Sequence, residues 1–131
     1  MDAELFDVGL EARKRVLGEE YVAQAFANAD SFSRDLQEIV TEYCWGGVWG
    51  RTALTDQQRS LNNLCLLAAL NRPQEFKAHF RGALRNGCTL DQLRDTLIQI
   101  CVYAGVPAGV EAFRLAREVL DAEGITPGPA A

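Results

Sequence analysis

The segment from Arg59 to Gly87 has the clearest helical pattern in the chain and reads RSLNNLCLLAALNRPQEFKAHFRGALRNG. Its apolar residues recur every three or four positions, which is the period of an α-helix. Pro73 fits the first turn of a helix, where a missing N–H costs nothing, and Asn86 with Gly87 tolerates the left-handed conformation at a helix end. The stretch therefore predicts two successive helices, the second of which begins at Pro73.

The same helical spacing recurs along the rest of the chain, and no segment alternates β-branched residues with period two, so we expect an all-α fold. Glycines and capping residues place about seven helices, near residues 3–17, 19–28, 33–44, 55–70, 73–86, 89–103 and 107–123. Thr55 with Gln58, and Thr89 with Gln92, have the spacing of a capping box. Residues 64–70 are apolar all round, which predicts a position in the centre of the domain or against another subunit.

The length of 131 residues favours one domain, residues 1–123, followed by a flexible tail, GITPGPAA, at 124–131. Acids from position 2 onward and the shortness of the apolar runs argue against a secretory signal and a membrane span, so we expect a cytoplasmic protein. The net charge of −5, with dispersed Lys and Arg, disfavours nucleic acid and membranes as partners. A small molecule is the better candidate.

The four cysteines form no CxxC pair, and the chain has one histidine. Zinc sites need several such ligands at characteristic spacings, and thiol redox pairs need two neighbouring cysteines. The sequence therefore predicts separate reduced thiols and no metal.

A glycine-rich stretch, GGVWGRTA at residues 46–53, interrupts the helical pattern and predicts a loop. Trp45, Trp49 and Arg51 cluster around it. Aromatic walls with an arginine are typical of a pocket for a planar anion. The alternative is that both tryptophans fill the core.

His79 is the candidate for proton transfer, because imidazole alone among side chains has an unperturbed pKa near neutrality. Glu75, one turn earlier, could fix the tautomer of the ring and raise its pKa, or could be a solvated charge. Arg59, on the preceding helix, either binds a carboxylate or reaches solvent. A purely structural role for His79 stays open.

Gln99 and Tyr103 share a face of the sixth predicted helix. Gln99 interrupts an apolar run, LIQICVYAGV, at a position that we expect to be buried, where its amide requires a partner. That partner is either a substrate or a neighbouring helix.

In order along the chain, EYCWGGVWGR (42–51), the stretch at 59–87 and QICVYAGVPA (99–108) resemble the carboxymuconolactone decarboxylase family. The resemblance spans residues 7–121. It implies the alkylhydroperoxidase D-like helical fold, a homo-oligomer (trimer or hexamer), and cofactor-independent decarboxylation of a carboxylated lactone during aromatic-acid breakdown. Relatives with hydroperoxidase activity have a CxxC pair before the matching histidine, whereas this chain has Arg72 and Glu75, so thiol redox chemistry is not expected.

The resemblance assigns hypothetical roles to the candidate residues. His79 would supply the proton, and Arg51 and Arg59 would bind carboxylates. Trp45, Trp49, Tyr103 and Gln99 would line the pocket or donate hydrogen bonds, while Glu42 or Glu75 would orient the cations. Two alternatives stay open: an enzyme of this fold acting on another lactone or a β-keto-acid-like substrate, and a non-catalytic ligand-binding subunit.

Overall fold

The computed structural model describes residues 1–130, and within that range it contains helices and no strand. The helices are α1 Ala3–Leu17, α2 Glu19–Ala27, α3 Arg34–Ile39, a π-helical segment Val40–Trp49, α4 Asp56–Ala69, α5 Pro73–Arg85, α6 Leu90–Tyr103 and α7 Val106–Ala122. The predicted all-α class is confirmed. None of these helices is both long enough and apolar enough to cross a bilayer.

The chain forms two compact units, which meet in sequence between Asp56 and Gln57. In the first unit α1 packs on the π-helical segment and on α2. Glycine makes the close approach of α1 possible, since a Cβ at Gly9 would collide with the carbonyl oxygen of Thr41, and one at Gly46 would collide with that of Leu5. The expectation of a single domain stays a prediction.

The predicted loop at residues 46–53 is wrong over its first half. Helix continues from α3 through the π-helical segment as far as Trp49, and only residues 50–55 are non-helical. The sequence alone does not distinguish a glycine that breaks a helix from one that permits another helix to pack closely. Gly46 serves packing, because its missing side chain makes room for the backbone of α1.

The second unit is built around a cluster of buried apolar side chains from four helices. Its larger members are Leu64 of α4, Phe76 and Phe80 of α5, Leu93, Leu97 and Ile100 of α6, and Leu115, Val119 and Leu120 of α7. Leu64 is fully buried, whereas Leu66 and Leu70 are more than half exposed. The apolar end of α4 therefore has one side in this core and another side uncovered in the single chain.

The helix ends of this unit follow the sequence signals. Pro73 occupies the first turn of α5, and Thr89 with Gln92 closes the predicted capping box at the start of α6. Helices α4, α5 and α7 each end with a residue of positive φ, namely Asn71, Gly87 and Gly124, followed by an N–H that bonds back to the carbonyl five residues earlier. In the predicted tail, Ile125 makes one of these bonds and packs against the core. The predicted flexibility of the tail stays a prediction.

Candidate functional site

In the first unit the two tryptophans form a stacked pair. The ring centroids of Trp45 and Trp49 are 5.0 Å apart and their planes differ by 26°. Both side chains are buried. Their spacing of four residues in the π-helical segment places the two rings next to each other, as offset stacking prefers.

Trp49 borders an open cavity of about 380 Å³, which is also lined by Arg51, Arg15 and Asp56, among others. The Nε atom of Arg15 lies 2.8 Å from the Oδ2 atom of Asp56, so the cavity contains an ion pair and a second guanidinium. Glu11 also lines the cavity, so its lining holds two arginines and two carboxylates. An arginine beside an aromatic wall is a common partner of a carboxylate ligand. The predicted association of Trp49 with Arg51 is present, and Trp45 does not line this cavity.

Glu42 has a local role in the first unit. Its Oε1 atom accepts a hydrogen bond from the backbone N–H of Asp2 at 2.8 Å. This bond attaches the start of α1 to the π-helical segment. The side chain therefore contributes to the α1 packing, and the hypothesis that it orients a cation stays a prediction.

In the second unit His79 lies half-buried in the middle of α5 and faces α4. Its Nδ1 atom is 3.5 Å from the Nδ2 atom of Asn63. Burial lowers the pKa of His79 to about 4, while the negative charge of Glu75 acts in the opposite direction. The predicted upward effect of Glu75 on the pKa is present, but burial outweighs it.

The charge of His79 follows from that pKa. At pH 7 the ring is almost wholly unprotonated, because the pKa of about 4 lies well below that pH. The resting side chain is thus a neutral imidazole. An anion bound within about 4–6 Å would favour the protonated form and raise the pKa.

The structure separates the other predicted residues by exposure. Arg59 is half-buried on α4, whereas Gln99 and Tyr103 are exposed on α6. The prediction that Gln99 is buried is wrong, because its side of α6 is not covered within the chain. Neither Gln99 nor Tyr103 makes a side-chain hydrogen bond within residues 1–130.

The candidate residues therefore fall into two groups. Glu42, Trp45, Trp49 and Arg51 belong to the first unit, and Arg59, Glu75, His79, Gln99 and Tyr103 belong to the second. Among the described residues, no three His, Cys, Asp or Glu side chains come together as metal ligands. All four cysteines are free thiols, and Cys88 is the buried one.

Sequence reasoning missed two residues of these groups. Arg15 reaches the cavity of Arg51 from α1, and nothing in the amphipathic pattern of that helix marks it. Asn63 stands out only as a polar residue at the edge of an apolar run. Its contact with His79 needs the packing of α4 on α5, which the sequence alone does not supply.

This fold and these side chains define an all-helical protein whose candidate residues are arginines, tryptophans and one histidine. The chain belongs to the carboxymuconolactone decarboxylase family, whose model matches residues 34–118. It is 37% identical over 126 residues to the 4-carboxymuconolactone decarboxylase of Acinetobacter baylyi, covering 96% of this chain and 94% of that protein. It is 41% identical over 117 residues to the nitrosuccinic acid decarboxylase of Metarhizium robertsii, covering 89% of this chain and 82% of that protein.

These matches confirm the resemblance inferred from the three motifs. Both relatives are named decarboxylases, and both matches cover most of the chain. The protein is accordingly a carboxy-lyase, a decarboxylase of this family with the predicted helical fold. The alternative of a non-catalytic ligand-binding subunit is not favoured.

Proposed function

We propose that this protein converts 4-carboxymuconolactone to the enol-lactone of β-ketoadipate, without a cofactor, in the breakdown of aromatic acids. The observation that carries the proposal is the similarity to the Acinetobacter baylyi enzyme over nearly the full length of both chains. The polar groups at the tryptophan cavity and at His79 support it.

The substrate supplies its own electron sink. Its γ-carbon bears both the departing carboxylate and an acetate arm. When the bond to the carboxylate breaks and CO2 leaves, the electron pair flows through the ring double bond to the lactone carbonyl, and the α-carbon then takes up a proton. The protein needs to hold two carboxylates, stabilise the oxygen on which charge develops, and provide that proton.

The proposed roles follow these needs. Arg51 and Arg59 bind carboxylates, and Arg15 joins Arg51 because both line the same cavity. His79 donates to the developing charge or to the carbon. Since the resting ring is neutral, a bound dianion must first raise its pKa if it is to act as an acid.

A second candidate substrate is nitrosuccinate, which the relative of Metarhizium robertsii favours. In nitrosuccinate the carbon beside the departing carboxylate carries a nitro group, which takes the electron pair as a nitronate. That carbon also bears an acetate arm. The two candidates therefore share a 1,4-dicarboxylate skeleton with an electron sink at the reacting carbon, and differ in the sink.

The test mixes the purified protein with each substrate and follows CO2 release, in the absence of added metal or nucleotide. We expect turnover of the lactone, and a fall of about a hundredfold or more on Arg51→Gln or His79→Ala. Arg94→Gln is the control, since Arg94 is an exposed arginine paired with Asp91 and should leave turnover unchanged. Preference for nitrosuccinate would favour the second candidate, and release of CO2 from neither would refute both.

We also propose that the chain forms a homo-oligomer. Four exposed apolar side chains on and beside α3 have the spacing of a helix-packing stripe. They are Phe32 before the helix, Leu36 and Ile39 on it, and Tyr43 in the π-helical segment after it. Leu66 of α4 and Leu70, directly after the end of α4, are also exposed. Light scattering should give a mass above one chain, and Leu36→Glu with Ile39→Glu should lower it if the stripe is an interface.

A further inference from the structure

Asn63 of α4 lies beside the ring of His79 and plays no part in the proposed chemistry above. Its amide nitrogen Nδ2 is 3.5 Å from Nδ1 of the ring. Asn63 is half-buried. This is a long hydrogen bond, of the length that catalytic contacts often have before substrate binds.

We propose that Asn63 is a positioning residue that holds neutral His79 in the tautomer with its proton on Nε2. An amide NH2 group can only donate, so Nδ1 must offer its lone pair. In a neutral imidazole the remaining proton then resides on Nε2. The ring thereby presents an N–H donor at Nε2 instead of a basic lone pair.

The role of this tautomer in catalysis rests on the proposed function. A donor at Nε2 can stabilise a carboxylate or the lactone oxygen on which charge develops, without the ring first becoming a cation. Protonation of the ring would occur at Nδ1, which faces the amide NH2. For the ring to become an acid, the amide of Asn63 must turn so that its oxygen accepts the new Nδ1 proton.

A negative charge that acts on the ring is that of Glu75, one turn earlier on α5. Its field favours the protonated ring, whereas the Asn63 amide nitrogen favours the neutral one. Replacing this amide by a carboxylate exchanges a donor for an acceptor and adds a negative charge, and both changes favour the protonated ring. The carboxylate introduced by Asn63→Asp can only accept, so it draws a proton to Nδ1 and stabilises the imidazolium.

The test is a ¹H–¹⁵N long-range correlation spectrum of the full chain labelled with ¹⁵N-histidine, recorded without substrate across a pH titration. The chain has one histidine, so each of the two ring-nitrogen signals is assigned without ambiguity. We expect the wild type at pH 7 to show Nε2 protonated and Nδ1 bare. We expect Asn63→Asp to protonate Nδ1 and to raise the titration midpoint by at least about one pH unit.

Asn62→Asp is the matched control. It makes the same chemical change at the neighbouring position of α4, on an exposed side chain, and should leave the tautomer unchanged. A wild-type ring protonated on Nδ1 would overturn the proposal, as would equal spectra for the two variants. If Asn63→Asp fails to fold, the wild-type spectrum decides alone.

A kinetic measurement extends the test. Turnover of the lactone by Asn63→Asp at pH 7 should fall at least about tenfold, and the acid side of its pH profile should move upward, while Asn62→Asp matches the wild type. A merely structural role would lower turnover without moving the profile. Absence of lactone turnover in the wild type would refute the proposed function. The NMR spectrum would still test the tautomer of His79, because it is recorded without substrate.

Discussion

Replacing His79 by Gln should remove a defined part of the acid sensitivity of the fold. The pKa of His79 is about 4 in the folded chain and 6.5 in an unperturbed histidine. As the pH falls through this window, the unfolded chain binds a proton that the folded chain does not, so the free energy of unfolding decreases. Above about pH 7 neither state is protonated and the contribution vanishes.

The magnitude follows from the two pKa values. Each pH unit between them is equivalent to about 1.36 kcal/mol, so the full loss is about 3 kcal/mol below pH 4. Between pH 7 and pH 5 the loss is about 2 kcal/mol. Gln does not titrate and its carbonyl can still accept a hydrogen bond from the amide of Asn63, so His79→Gln should lack this term.

The assay is urea unfolding of both proteins at pH 7 and pH 5, at one protein concentration so that any assembly contributes equally. It should be followed by far-ultraviolet circular dichroism, because both tryptophans lie in the first unit and His79 lies in the second. Carboxylates that titrate at pH 5 affect both proteins and cancel in the difference. A parallel fall in the stabilities of the two proteins would show that His79 contributes nothing to the acid sensitivity.

Two further predictions concern the packing of α1 in the first unit. Gly9→Ala should lower the free energy of unfolding by about 1–3 kcal/mol, because the new Cβ meets the backbone of Thr41. Gly47→Ala is the control and should be nearly neutral, because its Cβ would have no atom within 4 Å. Thermal unfolding compares the two variants, and equal melting temperatures would contradict the contact. Thr41→Val should lower the free energy of unfolding by about 1–3 kcal/mol, because the buried Arg13 guanidinium loses the hydroxyl that accepts its hydrogen bond at 3.0 Å. Thermal unfolding also tests this prediction, and an unchanged stability would show that the hydroxyl is dispensable.

Local signals explain which parts of the fold could be predicted. Gly18 ends α1, Pro73 begins α5 and Thr89 caps α6. Each of these residues acts on its own stretch of backbone, either through the dihedral angles that it adopts or through a hydrogen bond to a backbone N–H. The π-helical segment could not be predicted, since Gly46 has the same appearance in a loop and in a close helix contact. Only the position of α1 distinguishes the two.

The candidate site shows the same division. The types of residue that the proposed chemistry requires, an acid and carboxylate-binding cations, point to His79 and the arginines because few side chains perform those roles. Their surroundings could not be predicted, since the low pKa of His79 arises from burial by other elements and Arg15 reaches the cavity from a distant helix. Gln99 was assigned to the interior because its sequence neighbours are apolar, but a helix in a small unit leaves one side uncovered.

The contact of Gly9 with the backbone of Thr41 affects how variants of this protein should be interpreted. Every amino acid other than glycine adds at least a Cβ there, so a survey of all substitutions would find position 9 as intolerant as a reacting residue. Measuring cellular abundance beside activity separates the two causes. Variants at Gly9 would lose both together, whereas a residue that acts on the substrate would lose activity while the protein accumulates normally.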